Sequence, residues 1–225
     1  MPDFGHYERF MASNFTQKKD CPPSLSKKKL LNYERKGVLR LKQALLVIDA
    51  QQELIDGNEN EASVFEKNTL LNNINTVIQK ALVANALVVF IRDKDVADGQ
   101  GDGFQIHQEI NVPPDATIFD KKATNSFYGT PLLDFLKEQQ VEHLVMMGCK
   151  TEHCIDTAVR TATVNYFDVT LVGDGHSTTD SVTLTAEQII HHHNRILNGH
   201  YNVDHFSDVR NSDEDLFSPN HNNYR

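Results

Sequence analysis

Short apolar runs alternate with amphipathic stretches along this chain, and that alternation leaves few folds open. Runs at 44–49, 86–91, 117–119, 144–147 and 169–172 read as strands. The second is almost wholly apolar, as a parallel strand covered on both faces must be. Between the first two, residues 64–84 carry Leu70, Leu71, Ile74, Val77, Ile78, Ala81 and Leu82 at helical spacing. A further helix is expected from Pro131 with Thr130 as its cap. The last runs over 185–197, where Thr185 and Gln188 form a capping-box pattern. Such alternation predicts an α/β fold, three-layered α/β/α, with a mainly parallel, doubly wound sheet and right-handed crossovers.

One segment carries a chemical signal. Val145-Met-Met-Gly-Cys-Lys-Thr-Glu-His-Cys154 reads as a buried strand, a sharp turn at Gly148 and the start of a helix. Thr151 has the side chain and position of an N-cap, and Glu152 places a carboxylate in the first turn. Cys154 then falls in the first turn of a helix leaving a strand's carboxyl end, where ligands bind in open α/β sheets. The helix dipole there favours a thiolate and can hold an oxyanion. A buried, inert cysteine is the competing reading of this segment alone.

Two other strand ends bear on that choice. The first strand closes on Asp49, after Leu45-Leu-Val-Ile. A carboxylate at a buried strand end is costly unless paired or functional. The third leads into Lys121-Lys122, then Ser126-Phe127-Tyr128-Gly129-Thr130. With Asp, Lys and Cys in this order, residues 43–197 resemble the isochorismatase-like cysteine hydrolases, a Rossmann-like α/β family. Gly103-Phe-Gln-Ile-His107, Asp174-Gly-His-Ser-Thr178 and Ile189-Ile-His-His-His-Asn194 look most like its streptothricin-hydrolase-type amidase branch.

The resemblance implies a catalytic triad of Asp49, Lys121 and Cys154. The family spacing puts the lysine six residues before Phe127, which selects Lys121; Lys122 would point to the other face of a continuing strand. It also implies an oxyanion site made by the backbone N–H groups of Lys150 and Cys154, beside a cis Cys149–Lys150 peptide. Gln51, Phe104, His107, Phe127 and His176 are the candidate substrate-binding residues. No metal and no cofactor are expected. Nicotinamidases, which are similar, carry an Asp/His zinc cluster after the second strand, where this chain reads Arg92-Asp-Lys-Asp95. His191, His192 and His193 face different directions in the predicted helix and cannot all ligate one ion. One or two of them are expected to pack or hydrogen-bond beneath the site or at a subunit contact.

Three domains follow: a basic arm over 1–38, the hydrolase domain over 39–203 and an acidic tail over 204–225. The arm holds eight Lys or Arg against four Asp or Glu, a charge of +4, so the rest carries −13 of the net −9. An arm of this kind can bind nucleic acid or pack on an acidic body, and the acidity of the body favours packing. No apolar stretch approaches a membrane span of roughly 20 residues. The three cysteines, Cys21, Cys149 and Cys154, suit a reducing compartment. A cytoplasmic protein with no nucleic-acid or membrane partner is expected, and the resemblance implies a homo-oligomer, dimer or tetramer.

The expected function is metal-independent hydrolysis of a C–N bond in a small-molecule amide or lactam through a thioester acyl-enzyme. Two alternatives stand beside it: an isochorismate-type enol-ether hydrolase, and a non-catalytic binding or assembly protein on the same fold. Members with the enol-ether chemistry often lack the cysteine, so Cys154 counts against the first.

Overall fold

The computed structural model describes residues 41–217. The arm over 1–38 and the last residues of the tail, 218–225, lie outside the described residues. Seven strands form one sheet: β1 (Gln43–Ile48), β2 (Leu87–Asp93), β3 (Thr117–Lys121), β4 (His143–Cys149), β5 (Asp168–Ser177), β6 (Tyr201–Asn202) and β7 (His205–Arg210). Their order is β3-β2-β1-β4-β5-β7-β6, parallel except for the β6–β7 pair.

Strand alternation sorts β1 into two cores. Ala44, Leu46 and Ile48 join Leu132 and Leu136 of α4 (Leu132–Glu138) and Ala158, Val159 and Ala162 of α5 (Asp156–Val164). Leu45 and Val47 face Leu71, Ile74 and Ile78 of α2 (Lys67–Ala84) on the other side. The layers are therefore α/β/α. Two short helices, α1 (Gln52–Asp56) and α3 (Gly101–Phe104), follow β1 and β2, and α6 (Ala186–Leu197) precedes the last two strands. The Thr185 capping box is present, its hydroxyl taking the Gln188 N–H while the Gln188 side chain takes that of Thr185.

Three expectations need correction. Thr151 is not a cap: Lys150 holds that position, and Thr151 is buried in the first turn with its hydroxyl on His176. Pro131 rather than Thr130 sits at the cap of α4. The tail does not begin at 204, because His205–Arg210 is a strand pairing with β5, and Leu216 is buried. Hydropathy hides β7, since polar contacts seat it: Ser207 Oγ donates to the Leu197 carbonyl, and Thr170 Oγ1 to Asp208.

The chain crosses from one half of the sheet to the other between β1 and β4, where a crevice opens at the strands' carboxyl ends. Gly148 lets these strands approach: its φ is +123°, and a Cβ there would lie 1.9 Å from the Ile48 carbonyl oxygen. Gly148→Ala is therefore expected to cost about 3 kcal/mol of stability. Thermal unfolding measures this, and an unchanged midpoint would mean that the pair can separate without loss.

Candidate active site

The first groups at the crevice are set by the backbone. Asp49 follows β1 with φ +50°, a left-handed conformation that aspartate tolerates better than most residues. Lys121 is the last residue of β3 and lies in register with Asp93 at the end of β2. Cys154 sits in a π-helical turn, Thr151–Ile155, that leads into α5. The Cys149–Lys150 peptide before that turn is cis.

The Lys121 ammonium ties these elements together. Its Nζ lies 2.9 Å from Asp49 Oδ2 and 3.3 Å from Cys154 Sγ, and it also pairs with Asp93. Lys122, one residue on, is exposed. Asp49, Asp93 and Cys154 are the only described residues whose donor atoms converge as a metal would need, within 4.8 Å of one another. Lys121 contacts all three, so an ammonium already supplies the positive charge they would offer an ion.

Burial governs the titrations. It raises Asp49 from 3.8 to about 6, against the pull of the Lys121 charge. For Lys121 burial acts downward, but Asp49 and Cys154 outweigh it and hold the ammonium well above its usual range. Cys154 is pushed up to about 12, by burial first and then by the neighbouring Asp49 charge, with Lys121 only partly offsetting them. The thiolate expected from the helix dipole is thus not the resting form; the thiol is protonated. Asp49 Oδ1 is buried and carries no hydrogen bond, which leaves a lone pair for that proton. Cys149 is fully buried, and its thiol is driven higher still by burial.

A cavity of about 400 Å³ opens on Asp49, Asp93 and Cys154. Its walls come from Glu53 and Leu54 of α1, Asn58 and Glu61 in the following turn, and Asp95 and Val96 after β2. Lys150 and His153 flank the thiol; Lys150 is ion-paired with Glu61 across the mouth.

None of the five candidate substrate-binding residues lines this cavity. Gln51 is fully buried and saturated: its Nε2 donates to the carbonyls of Asp93 and Phe104, and its Oε1 accepts from the Asp93 N–H. It locks the β1 and β2 ends together. Phe104 packs beneath the Arg92 guanidinium, 4.3 Å away. His107 is buried, with Nε2 3.3 Å from Asp56 and Nδ1 accepting from the Glu109 N–H. Phe127 belongs to the core and stacks on Phe167.

His176 braces the π turn from beneath. Asn194 Nδ2 donates to the Gly173 carbonyl, so its Oδ1 faces His176 Nε2 at 2.8 Å. That nitrogen therefore carries the proton, and Nδ1 accepts from the Thr151 hydroxyl at 2.8 Å. Burial lowers His176 to about 4 and keeps it neutral in this role. Of the histidine triplet, His193 bonds the Ile189 carbonyl within its own helix, while His191 and His192 are exposed.

This geometry can be set against known proteins. The isochorismatase domain matches residues 43–191. The chain belongs to the isochorismatase family. An isochorismatase family protein of Bacillus subtilis (strain 168), YrdC, is 28% identical over 141 residues, 59% of this chain and 72% of its own. A crystal structure of an isochorismatase family protein is 29% identical, with a TM-score of 0.67 over 75% of this chain and 97% of the other. N-carbamoylsarcosine amidase from Thermoplasma acidophilum shares the fold at 21% identity and a TM-score of 0.61, over 77% of this chain and 98% of its own. As an isochorismatase-family hydrolase, the chain has the expected sheet with its crevice at the β1–β4 switch. Among the described residues no helix is long and apolar enough to cross a membrane.

Asp93, Glu53 and Glu61 escaped the sequence reading. Asp93 had a usable signal: continuing the second strand by two residues puts it beside Lys121. Glu53 and Glu61 had none, because neither periodicity nor spacing reports where a loop wall folds.

Proposed function

We propose that this hydrolase cleaves the C–N bond of a small amide or lactam, with Cys154 as nucleophile and Asp49 as base. The observation that carries the reading is Lys121 Nζ in contact with both Asp49 and Cys154 while Asp49 Oδ1 has no partner. Asp49 takes the thiol proton as sulfur bonds to the substrate carbonyl carbon. The carbonyl oxygen becomes an oxyanion, received by the backbone N–H groups of Lys150 and Cys154. Lys121 keeps Asp49 ionised beforehand and faces the sulfur as charge moves through it. Collapse breaks the C–N bond, and the proton on Asp49 leaves with the amine or ammonia. Water then attacks the thioester, giving its proton to Asp49; expulsion of sulfur releases the carboxylic acid, and Asp49 returns the proton to Cys154.

The amidase that shares the fold supports a C–N bond as the target, and the free thiols suit a reducing compartment such as the cytoplasm. The test is ammonia release from a panel of small primary amides, with acid-quenched intact-mass analysis. The expected results are an acyl adduct on Cys154 and a kcat/KM that rises tenfold per pH unit below about 6 and levels above it. The sign follows from the base: Asp49 must be ionised, so activity falls as pH drops through its raised pKa. An activity independent of Cys154, with no adduct, would overturn the proposal.

A further inference from the structure

The cavity beside Cys154 is built for a positively charged substrate. Five carboxylates line it, Asp49, Glu53, Glu61, Asp93 and Asp95, and only two ammonium groups oppose them. Lys121 is consumed by Asp49 and Asp93, and Lys150 by Glu61. Among the described residues Glu53 and Asp95 form no ion pair. Arg92, the nearest arginine in sequence, is held by Asp120 at 2.8 Å and does not line the cavity. The remaining lining group that can carry a positive charge, His153, lies 3.8 Å from Glu152, so no lining cation without a carboxylate beside it is left to receive a substrate carboxylate.

Glu53 is also fixed in place. Its Oε1 accepts from Asn58 Nδ2 at 3.0 Å, and its Oε2 lies 2.9 Å from where a Cβ on Gly103 would stand. A side chain at Gly103, within the glycine-rich stretch 99–103, would crowd that carboxylate. The unpartnered, buried Asp49 Oδ1 marks the reacting end of the same cavity. Resting on the amidase reading above, we infer that the substrate is an amide bearing a cationic group, an ammonium or guanidinium. Its scissile carbonyl meets Cys154 while the cation is held by Glu53 and Asp95. A volume of about 400 Å³ accommodates such a small molecule.

Three amides of equal chain length separate charge from size: 6-aminohexanamide, hexanamide and adipic acid monoamide. Turnover is measured with the wild-type chain near neutral pH, and binding by titration calorimetry with the full-length Cys154→Ala chain. The cationic amide should be preferred over the neutral one by about tenfold, as for one charge-assisted hydrogen bond, and the anionic amide should rank last. Glu53→Gln and Asp95→Asn should each lower the cationic-to-neutral ratio, whereas Asp115→Asn, an exposed charge off the cavity, should leave it unchanged. Equal binding of the three, no binding of any, or an equal loss of preference in Asp115→Asn would overturn the inference. Selective binding without turnover would instead defeat the hydrolase reading while charge recognition stands, and equal turnover of all three would do the reverse.

Discussion

Cys154→Ala is expected to lower amide turnover on the order of 10⁵- to 10⁶-fold, the scale of losing a nucleophile from a site whose groups act as a unit. The residue is buried beside Lys121 and next to the cavity, so the smaller side chain removes the reacting atom without disturbing the Lys121 pairs with Asp49 and Asp93. The wild-type thiol should also be slow towards iodoacetamide near neutral pH, since burial holds it at about 12. These two results belong together. A thiol inert to a simple alkylating agent yet essential for turnover is activated only when a substrate carbonyl is in place and Asp49 can take the proton. Rapid alkylation near pH 6 would show a standing thiolate and dispense with the base, and turnover surviving in the alanine variant would remove the nucleophile altogether. Intact-mass labelling and steady-state rates on the same samples decide between these cases.

The contrast between thiol and thiolate shows where sequence reasoning runs out. A cysteine in the first turn after a strand is a local pattern, and its dipole argument is local as well. Burial by β1, β3 and the π turn is a property of the assembled crevice, and together with the Asp49 charge it raises the thiol's pKa. Asp49 and Cys154 stand out because each ends or follows an apolar run, but it is the family resemblance that joins them with a lysine, and its spacing to Phe127 that selects Lys121 over Lys122. Gln51 illustrates the opposite case. It lies two residues after Asp49 in sequence and so invites a role in substrate binding, but its amide is spent on Asp93 and Phe104, more than forty residues away. The same holds for His176, whose position beneath Thr151 depends on Asn194 of α6. The cavity walls come from α1 and its turn, short and polar segments with no period to read. β7 was hidden because its strand is secured by hydroxyl and carboxylate contacts rather than by an apolar run.

Asp49→Asn is expected to reduce kcat/KM by about 10⁴-fold, the upper range for removing a general base. The amide is nearly isosteric, and Lys121 retains Asp93, so the fold and the lysine's position should survive; an unchanged melting profile is the control. The pH profile then distinguishes loss of a base from a shifted geometry. In the wild type the rate levels above about pH 6, once Asp49 is ionised. In the variant the carboxylate that takes the thiol proton is gone, and reaction needs the thiolate itself. Removing Asp49 also removes its upward effect on Cys154, so that thiol should ionise below its wild-type value of about 12. The residual rate should therefore lack the limb near pH 6 and keep climbing through the alkaline range. A variant that kept the wild-type limb would place the titrating base elsewhere. Asp93 would then be the first group to examine, since it shares Lys121 and lines the same cavity.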